Sequence, residues 1–313
     1  MAEKLRGDAS DREFYRLRVE GAGSAVLMVL AGPHRGGELP FINIGNHLAA
    51  MGVSVPELYA YDEERGLLLL EDAGDFTLQD ELAGKGDEVY RKYYRMAIDE
   101  LGKIHYDSGR DSEKHCVAFD LRFNAKKFMW ELDFFIEHTL QGYMGLEICP
   151  ADLSLLRQIL ARICDSIAGL PTVLTHRDYH SRNLLVRNGR LVVVDFQDAR
   201  LGPCQYDLAS LLRDSYVVLD DDTRDEMMEH YISVNERKEG TPVDRRRFRA
   251  DFDLVSVQRC LKAAGTFGYM YTVKGNDSYL KYLKPAFANV REIIAANQEL
   301  ATLGKLLLKY IDT

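Results

Sequence analysis

Residues 174–199 read LTHRDYHSRNLLVRNGRLVVVDFQDA and place many polar groups beside the most strand-like segment of the chain. The His-Arg-Asp run at 176–178 is followed, after four residues, by Asn183, and Asp195 lies beyond the apolar stretch. The Asn-Gly dipeptide at 188–189 is the strongest short signal for a β-hairpin turn. The stretch therefore predicts a polar loop, a hairpin, and an acidic residue where the hairpin ends.

This order of residues matches the protein-kinase signature H-R-D, four residues, N, with a later aspartate. The chemistry explains the spacing. One carboxylate must accept the proton of an attacking hydroxyl group beside a metal-bound triphosphate. An asparagine oxygen and a second carboxylate are hard ligands suited to Mg²⁺, and a hairpin between them fixes their distance. The pattern therefore predicts phosphoryl transfer.

The composition narrows the class of protein. The chain has 313 residues, a formal net charge of -9 and 46% hydrophobic residues, so it can bury a core but offers no basic track for nucleic acid. Its five cysteines form no CxxC pair, which is typical of a reducing compartment. The first residues are too charged for a signal peptide, and the apolar runs are too short to span a bilayer. We expect a cytoplasmic monomer with neither a nucleic-acid partner nor a membrane partner.

The chain changes character near Gly74. Short alternating segments before it predict two strand hairpins, whereas helical spacing dominates 87–107, 120–143, 151–168 and the region from 203 onward. We therefore predict an α+β fold of two lobes. Residues 1–74 are expected to be a small, strand-rich, nucleotide-binding lobe. Residues 75–313 are expected to be a larger helical lobe that carries the catalytic loop and the substrate site.

The strings HRDYHSRN and VVVDFQDA resemble the aminoglycoside phosphotransferase family, whose loop carries the second histidine found here as His180. The resemblance implies a protein-kinase-like fold that uses ATP and Mg²⁺. It implies Asp178 as the catalytic base, Asn183 and Asp195 as magnesium ligands, and Asp207 as a brace of the loop. For His180 the alternatives stay open: it positions Asp178, contacts the substrate, or makes a structural bond within the loop.

Two further strings extend the resemblance to the nucleotide site. GDASDREFYRL resembles the nucleotide loop of the family, and LLLLEDAG resembles its hinge. The likeness implies that Ser10 and Arg12 in the loop, and Glu71 and Ala73 in the hinge, bind ATP.

The third strand departs from the kinase pattern. Kinases carry a lysine there, paired with a glutamate on the next helix, but AVLMVLAG has Met28 and LPFINIGNHLAA has no glutamate. We hypothesise that Arg12, with Ser10 and loop amides, takes over part of the phosphate grip. The planar guanidinium fork suits this task because it can donate two parallel bonds to phosphate.

A closer likeness is to the cell-wall sugar kinases that phosphorylate the anomeric hydroxyl of N-acetylmuramate and N-acetylglucosamine. It is carried by GDAS, DFQDA, GPCQYDLASLLRD and QRCLKAAGTFGY. The likeness implies an ATP-dependent kinase with a small sugar as its other substrate and a sugar 1-phosphate as its product. Lys274, Lys281 and Lys284, which stand among aromatic residues, suit a neutral or anionic sugar better than a polycation.

Several alternatives remain. One is a phosphotransferase for aminoglycosides or other small hydroxyl compounds. Another is a pseudokinase binding module, which Met28 favours and the retained motif opposes. A zinc hydrolase is disfavoured, because Arg177 occupies the position where the H-E-x-x-H motif needs a glutamate. The aromatic residues of 119–143 form either a sugar platform or a helix core, and we expect the core.

Overall fold

The computed structural model of the protein describes residues 2–5, 12–19, 21, 23–34, 38–107 and 115–311. The strands are β1 (Ala2–Lys4), β2 (Glu13–Val19), β3 (Gly23–Val29), β4 (Leu58–Asp62), β5 (Leu67–Glu71), β6 (Thr172–Thr175), β7 (Leu184–Arg187), β8 (Arg190–Val193) and β9 (Arg200–Pro203). The α-helices are α1 (Pro40–Ala50), α2 (Leu78–Leu82), α3 (Asp87–Tyr106), α4 (Ala125–Phe135), α5 (Pro150–Ala168), α6 (Cys204–Leu212), α7 (Asp221–Glu239), α8 (Arg245–Thr272), α9 (Leu283–Ala296) and α10 (Ala301–Ile311). Single turns of 3-10 helix lie at Val117–Asp120, Leu280–Tyr282 and Gln298–Leu300, and a π-helix spans Ile136–Tyr143.

The first five strands form one antiparallel sheet in the order β1-β2-β3-β5-β4. Both predicted N-terminal hairpins are present. One face of the sheet buries Met28, Leu68 and Leu70, and Phe41 and Ile42 of α1 pack against these side chains. The predicted change from a strand-rich to a helical part is confirmed, since α2 to α10 follow the sheet. The exact division at residue 74 stays a prediction; it falls between β5 and α2.

The long helix α8 lies at the centre of the helical part, where it packs against α4, α6, α9 and the π-helix. Two glycines make the closest of these approaches possible. A Cβ atom on Gly265 would lie 2.8 Å from the Cα of Phe135, and one on Gly268 would lie 2.6 Å from the carbonyl oxygen of His138. The glycines in AAGTFG are therefore required by backbone packing. None of the described helices is long and apolar enough to cross a membrane.

The predicted hairpin is β7–β8, with Asn188 at φ 52° and Gly189 at φ 75° in the turn. Two positive φ angles are the mark of a type I′ turn, which matches the twist of the strands. Backbone bonds tie the hairpin to its surroundings: Val186 N donates to the oxygen of Phe76 at 2.8 Å, and Val193 N donates to the oxygen of Ser54 at 2.7 Å. The hairpin is thus anchored to the segments that precede and follow β4–β5.

A second small ladder, β6–β9, was not predicted. The strands pair antiparallel from Thr172 opposite Pro203 to Thr175 opposite Arg200. Four-residue strands carry too little periodicity to be told from loop in a sequence. The ladder matters because β6 ends directly before the His-Arg-Asp run.

In the aromatic segment 119–143, the two sides of α4 differ in burial. Phe128, Leu132 and Phe135 are buried, as the core interpretation predicted. Trp130 is 54% exposed, with the ammonium of Lys127 lying 3.9 Å from its ring centroid. The core prediction therefore holds for the inner side of the helix and not for its tryptophan.

We predict that Gly268→Ala lowers the free energy of unfolding by about 1–3 kcal/mol, the usual cost of overpacking a core. The added methyl carbon would lie 2.4 Å from Thr139 Oγ1 as well as against the His138 carbonyl. Urea unfolding measures the loss. Gly32→Ala is the matched control, because a Cβ there meets no atom within 4 Å; equal effects of the two substitutions would contradict the packing account.

Candidate active site

The carboxylate of Asp207 on α6 is fully buried. It holds the start of the predicted catalytic loop, residues 176–183. Its Oδ2 accepts a hydrogen bond from His176 N at 2.6 Å, and its Oδ1 accepts one from Arg177 N at 2.9 Å. The ring Nε2 of His105, at the end of α3, lies 3.3 Å from Oδ2. These contacts hold Arg177 at a φ of 82°, a conformation that residues other than glycine rarely adopt. The backbone turn sets the direction of the next residue, Asp178.

Asp178 faces two cations that come from α8. Lys262 Nζ lies 2.6 Å from its Oδ1, and Arg259 Nη2 lies 3.3 Å from the same atom. Burial raises the pKa of Asp178, but the attraction of Lys262 and then of Arg259 is stronger and holds that pKa well below its usual value. Arg259 is itself fixed, since its Nε donates to Ser210 Oγ at 2.7 Å. Asp178 is therefore an ionised carboxylate at neutral pH.

His180 follows two residues later and stays uncharged. Its backbone N–H donates to the carbonyl oxygen of Asp178 at 3.0 Å, and its ring packs edge-on against Tyr216 with centroids 5.1 Å apart. Burial, and then the nearby charge of Arg259, lower the pKa of His180 to about 3. Its Nδ1 is buried and has no hydrogen-bond partner among the described residues. His180 therefore adds an uncharged ring to the site.

Asn183 connects the part of the site at Asp178 with the part at Asp195. Its side-chain Nδ2 donates to the carbonyl oxygen of Asp178 at 2.9 Å, and its own carbonyl accepts a bond from Val194 N at 3.0 Å. The first bond orients the side-chain amide and leaves Oδ1 as the atom able to hold a metal. The second places Asp195, the next residue after Val194, beside the loop.

Asp195 has a φ of 65°, and its side chain is 48% exposed. Gln197 Nε2 donates to its Oδ1 at 2.8 Å, and Arg12 Nη2 lies 3.7 Å from the same oxygen. One carboxylate and one amide oxygen, from Asp195 and Asn183, fit Mg²⁺, because this ion takes oxygen ligands and is usually bound by one or two carboxylates together with phosphates and water. Arg12, which was predicted to bind phosphate, thus lies beside Asp195, which was predicted to bind magnesium.

The other predicted nucleotide residues that the structure describes lie at the end of β5 and in the linker that follows it, residues 72–77. Glu71 forms an ion pair with Arg187 of the hairpin at 3.2 Å, and Ala73 is buried. Ser10 lies outside the described residues. Met28 is fully buried against apolar side chains, so the position of the usual kinase lysine contains no polar group.

A buried ion pair that was not predicted from the sequence holds this linker. Arg16 of β2 donates two parallel bonds to Asp72, at 2.7 and 2.9 Å, and a third to Asp75 at 2.5 Å. Burial raises the pKa of Asp72, but the bonds from Arg16 outweigh it and lower that pKa to about 2. A bidentate arginine–carboxylate pair has little freedom of orientation, so it fixes the linker against the sheet.

A cavity of about 70 Å³ lies over Asp178 and His180. Arg259, Lys262 and Tyr216 also line it. The motif predicted Asp178 and His180 on the catalytic-loop side of this cavity. The residues of α8 on its other side were not predicted.

Arg259 and Lys262 were missed because the sequence does not say what their helix faces. Their spacing of three places them on one side of a helix, which is the signal that was available. The lysines that we expected to suit the charge of the substrate, Lys274, Lys281 and Lys284, are exposed and do not line the cavity.

We predict that His180 makes the stability of the protein sensitive to mild acid. In the unfolded chain the histidine takes up a proton near its ordinary pKa of 6.5, whereas the folded chain resists protonation down to about 3. The unfolded state therefore binds more protons below pH 6.5, and stability falls as the pH falls. Between pH 7 and pH 5 the wild type should lose about 2 kcal/mol more than His180→Gln, as measured by urea unfolding. Equal losses would show that the folded-state ring is protonated normally.

Comparison with known proteins identifies the family. Residues 2–247 match the phosphotransferase enzyme family, APH. The N-acetylmuramate/N-acetylglucosamine kinase of Pseudomonas putida is 32% identical over 98% of this chain and 88% of the relative. That of Neisseria meningitidis is 30% identical over 97% and 89%.

Solved structures show the same fold at low sequence identity. A choline/ethanolamine kinase family protein from Mesorhizobium loti has a TM-score of 0.63 and 15% identity, over 96% of this chain and 90% of that one. An aminoglycoside phosphotransferase, APH(2")-IIa, in complex with streptomycin and ATP has a TM-score of 0.58 and 14% identity, over 96% and 92%. The predicted bilobal kinase-like fold is confirmed. The chain belongs to the phosphotransferase enzyme family, and it is a phosphotransferase with a hydroxyl group as acceptor.

Proposed function

We propose that this protein is an ATP-dependent sugar kinase that transfers a phosphoryl group to the anomeric hydroxyl of N-acetylmuramate or N-acetylglucosamine, in the service of cell-wall recycling. The observation that carries the proposal is the position of Asp178. Its ionised carboxylate borders a cavity. Its main-chain carbonyl oxygen accepts a bond from Asn183, whose own carbonyl oxygen accepts one from Val194, the residue before Asp195. The names of the relatives from P. putida and N. meningitidis support the choice of sugar.

In this proposal Asp178 accepts the proton of the attacking hydroxyl group. Its pKa is held low by Lys262 and Arg259, so it is a weak base. A weak base is sufficient where the transition state is loose and the nucleophile needs little activation. The anomeric hydroxyl is the most acidic hydroxyl of a free sugar, because the ring oxygen withdraws electron density, so it suits this base better than other sugar hydroxyls do.

His180 contributes as an uncharged member of the site. Its backbone N–H donates to the carbonyl oxygen of Asp178, which helps to orient the base, and its ring lines the cavity, where it can pack against a bound sugar. We therefore assign it to substrate positioning and not to acid catalysis, since a pKa of about 3 leaves it without a proton to give at neutral pH.

Asn183 Oδ1 and Asp195 would hold Mg²⁺, which when bound neutralises charge on the phosphates of ATP. Arg12 lies 3.7 Å from Asp195, where it can donate to the same phosphates. Ser10, Glu71 and Ala73 are proposed nucleotide contacts; Ser10 lies two residues before Arg12 in the sequence, Glu71 ends β5, and Ala73 follows it.

Two observations weigh against the alternatives. An aminoglycoside is a polycation and needs an acidic pocket, whereas Arg259 and Lys262 line the cavity at Asp178. A pseudokinase has no need for an ordered catalytic loop. Here Asp207 holds that loop by two backbone hydrogen bonds, and Asp178, Asn183 and Asp195 are all retained.

We predict that Asp178→Asn lowers kcat by about 10²–10⁴-fold, the contribution of general base catalysis, with little change in nucleotide affinity. Asp195→Ala should also abolish turnover, but excess magnesium should partly restore it because a metal ligand is lost and not the base. Steady-state kinetics over a series of magnesium concentrations separates the two. Near-wild-type turnover of Asp178→Asn would refute the base assignment.

We predict that N-acetylglucosamine is phosphorylated and that its 1-O-methyl glycoside, which has no free anomeric hydroxyl, is not. Phosphorus NMR of the product identifies the sugar 1-phosphate, and ADP release measures the rate. Equal phosphorylation of both compounds would rule out the anomeric position. Turnover of kanamycin in preference to either sugar would rule out the sugar acceptor.

A further inference from the structure

The cations that contact Asp178 at the cavity come from α8 and not from the catalytic loop. Lys262 and Arg259 both reach Asp178, and their side chains are 14% and 8% exposed. Of the catalytic loop, Asp178 and His180 line the cavity, and His180 is neutral at physiological pH. The charge that a substrate meets beside the base is therefore set by this helix.

The two cations differ in how much bonding capacity they have left. Arg259 is held by Ser210 through Nε, and its guanidinium lies 6.0 Å from the ring of Tyr206. The ammonium of Lys262 has three N–H groups, and among the described residues Asp178 is its hydrogen-bond partner. Two donors of Lys262 thus remain for a molecule in the cavity, and a lysine side chain is flexible enough to turn toward it.

The cavity brings cations together in a protein that is acidic as a whole. The chain carries 49 acidic and 40 basic side chains, yet the charged side chains that line the cavity are three cations (Arg213, Arg259, Lys262) and two carboxylates (Asp178, Asp214). Arg213 is paired with Glu292 at 2.7 Å. Asp214 is satisfied within the protein, since Ser181 N and Oγ donate to its Oδ2 at 2.9 and 2.6 Å. Lys262 and Arg259 are thus the cations available to a molecule in the cavity, and burial weakens the screening of their charge by water.

We infer that Lys262 is a specificity-determining residue of the acceptor site: its ammonium binds a carboxylate carried by the acceptor near the reacting hydroxyl, and it disfavours cationic acceptors. The inference rests on the proposed function, because it takes Asp178 as the group that meets that hydroxyl. N-acetylmuramate carries such a carboxylate on its lactyl group, two ring carbons from the anomeric centre. Its methyl ester has the same ring and nearly the same size without the charge.

The test compares kcat/KM for N-acetylmuramate and for its methyl ester. The wild type should prefer the acid by at least about tenfold, which is the effect of one well-placed charge pair. Lys262→Met, which keeps the length of the side chain and removes the charge, should use the two compounds equally. Lys262→Arg should retain the preference. Lys305→Met, the same change at an exposed position of α10, is the matched control and should behave as the wild type.

The outcomes separate the two proposals. If the wild type phosphorylates neither N-acetylmuramate nor N-acetylglucosamine, the proposed function fails and this inference fails with it. If the wild type is active and the acid-to-ester ratio is the same in Lys262→Met, only the role of Lys262 is overturned. Should Lys262→Met lose all turnover, calorimetric Kd values for the acid and the ester give the same ratio: equal Kd values support the inference, and an intact preference for the acid overturns it.

Discussion

The buried carboxylate of Asp207 is the contact on which the site depends. It accepts the backbone N–H groups of His176 and Arg177 while Arg177 holds a left-handed conformation. Hydrogen bonds to a charged acceptor contribute about 1.5–3 kcal/mol each, enough to offset the strain of such a residue. Without this acceptor the turn would relax, and Asp178 would lose its direction. The catalytic loop is therefore held in place by a residue of α6, a separate element of the chain.

The electrostatics of the site divide between two sides. On one side, Asn183 and Asp195 present oxygen atoms next to Arg12, an arrangement suited to a metal and phosphates. On the other side, Lys262 and Arg259 hold Asp178 ionised and make the acceptor cavity positive. A low-pKa base and a cationic cavity both favour an acidic hydroxyl on an uncharged or anionic molecule. The two features are consistent with one kind of acceptor.

Much of the fold followed from local patterns. The N-terminal hairpins, the helices α3 to α5 and the β7–β8 turn were predicted because alternation, helical spacing and an Asn-Gly dipeptide act over a few residues. The β6–β9 ladder and the π-helix were not predicted. Four-residue strands leave little pattern, and the π-helix packs against Gly268 of α8, a contact that only a folded chain brings together.

The sequence by itself determined the chemistry, because the His-Arg-Asp run, Asn183 and Asp195 belong to one short loop and hairpin whose geometry is local. It also determined that Met28 replaces the usual lysine. Only the tertiary structure decided what surrounds the base. Lys262 lies 84 residues from Asp178 along the chain and Arg16 lies 56 residues from Asp72, yet each pair is in direct contact. Such pairs form when separate helices and strands bury a common core. No spacing in the sequence predicts which residues will meet in this way.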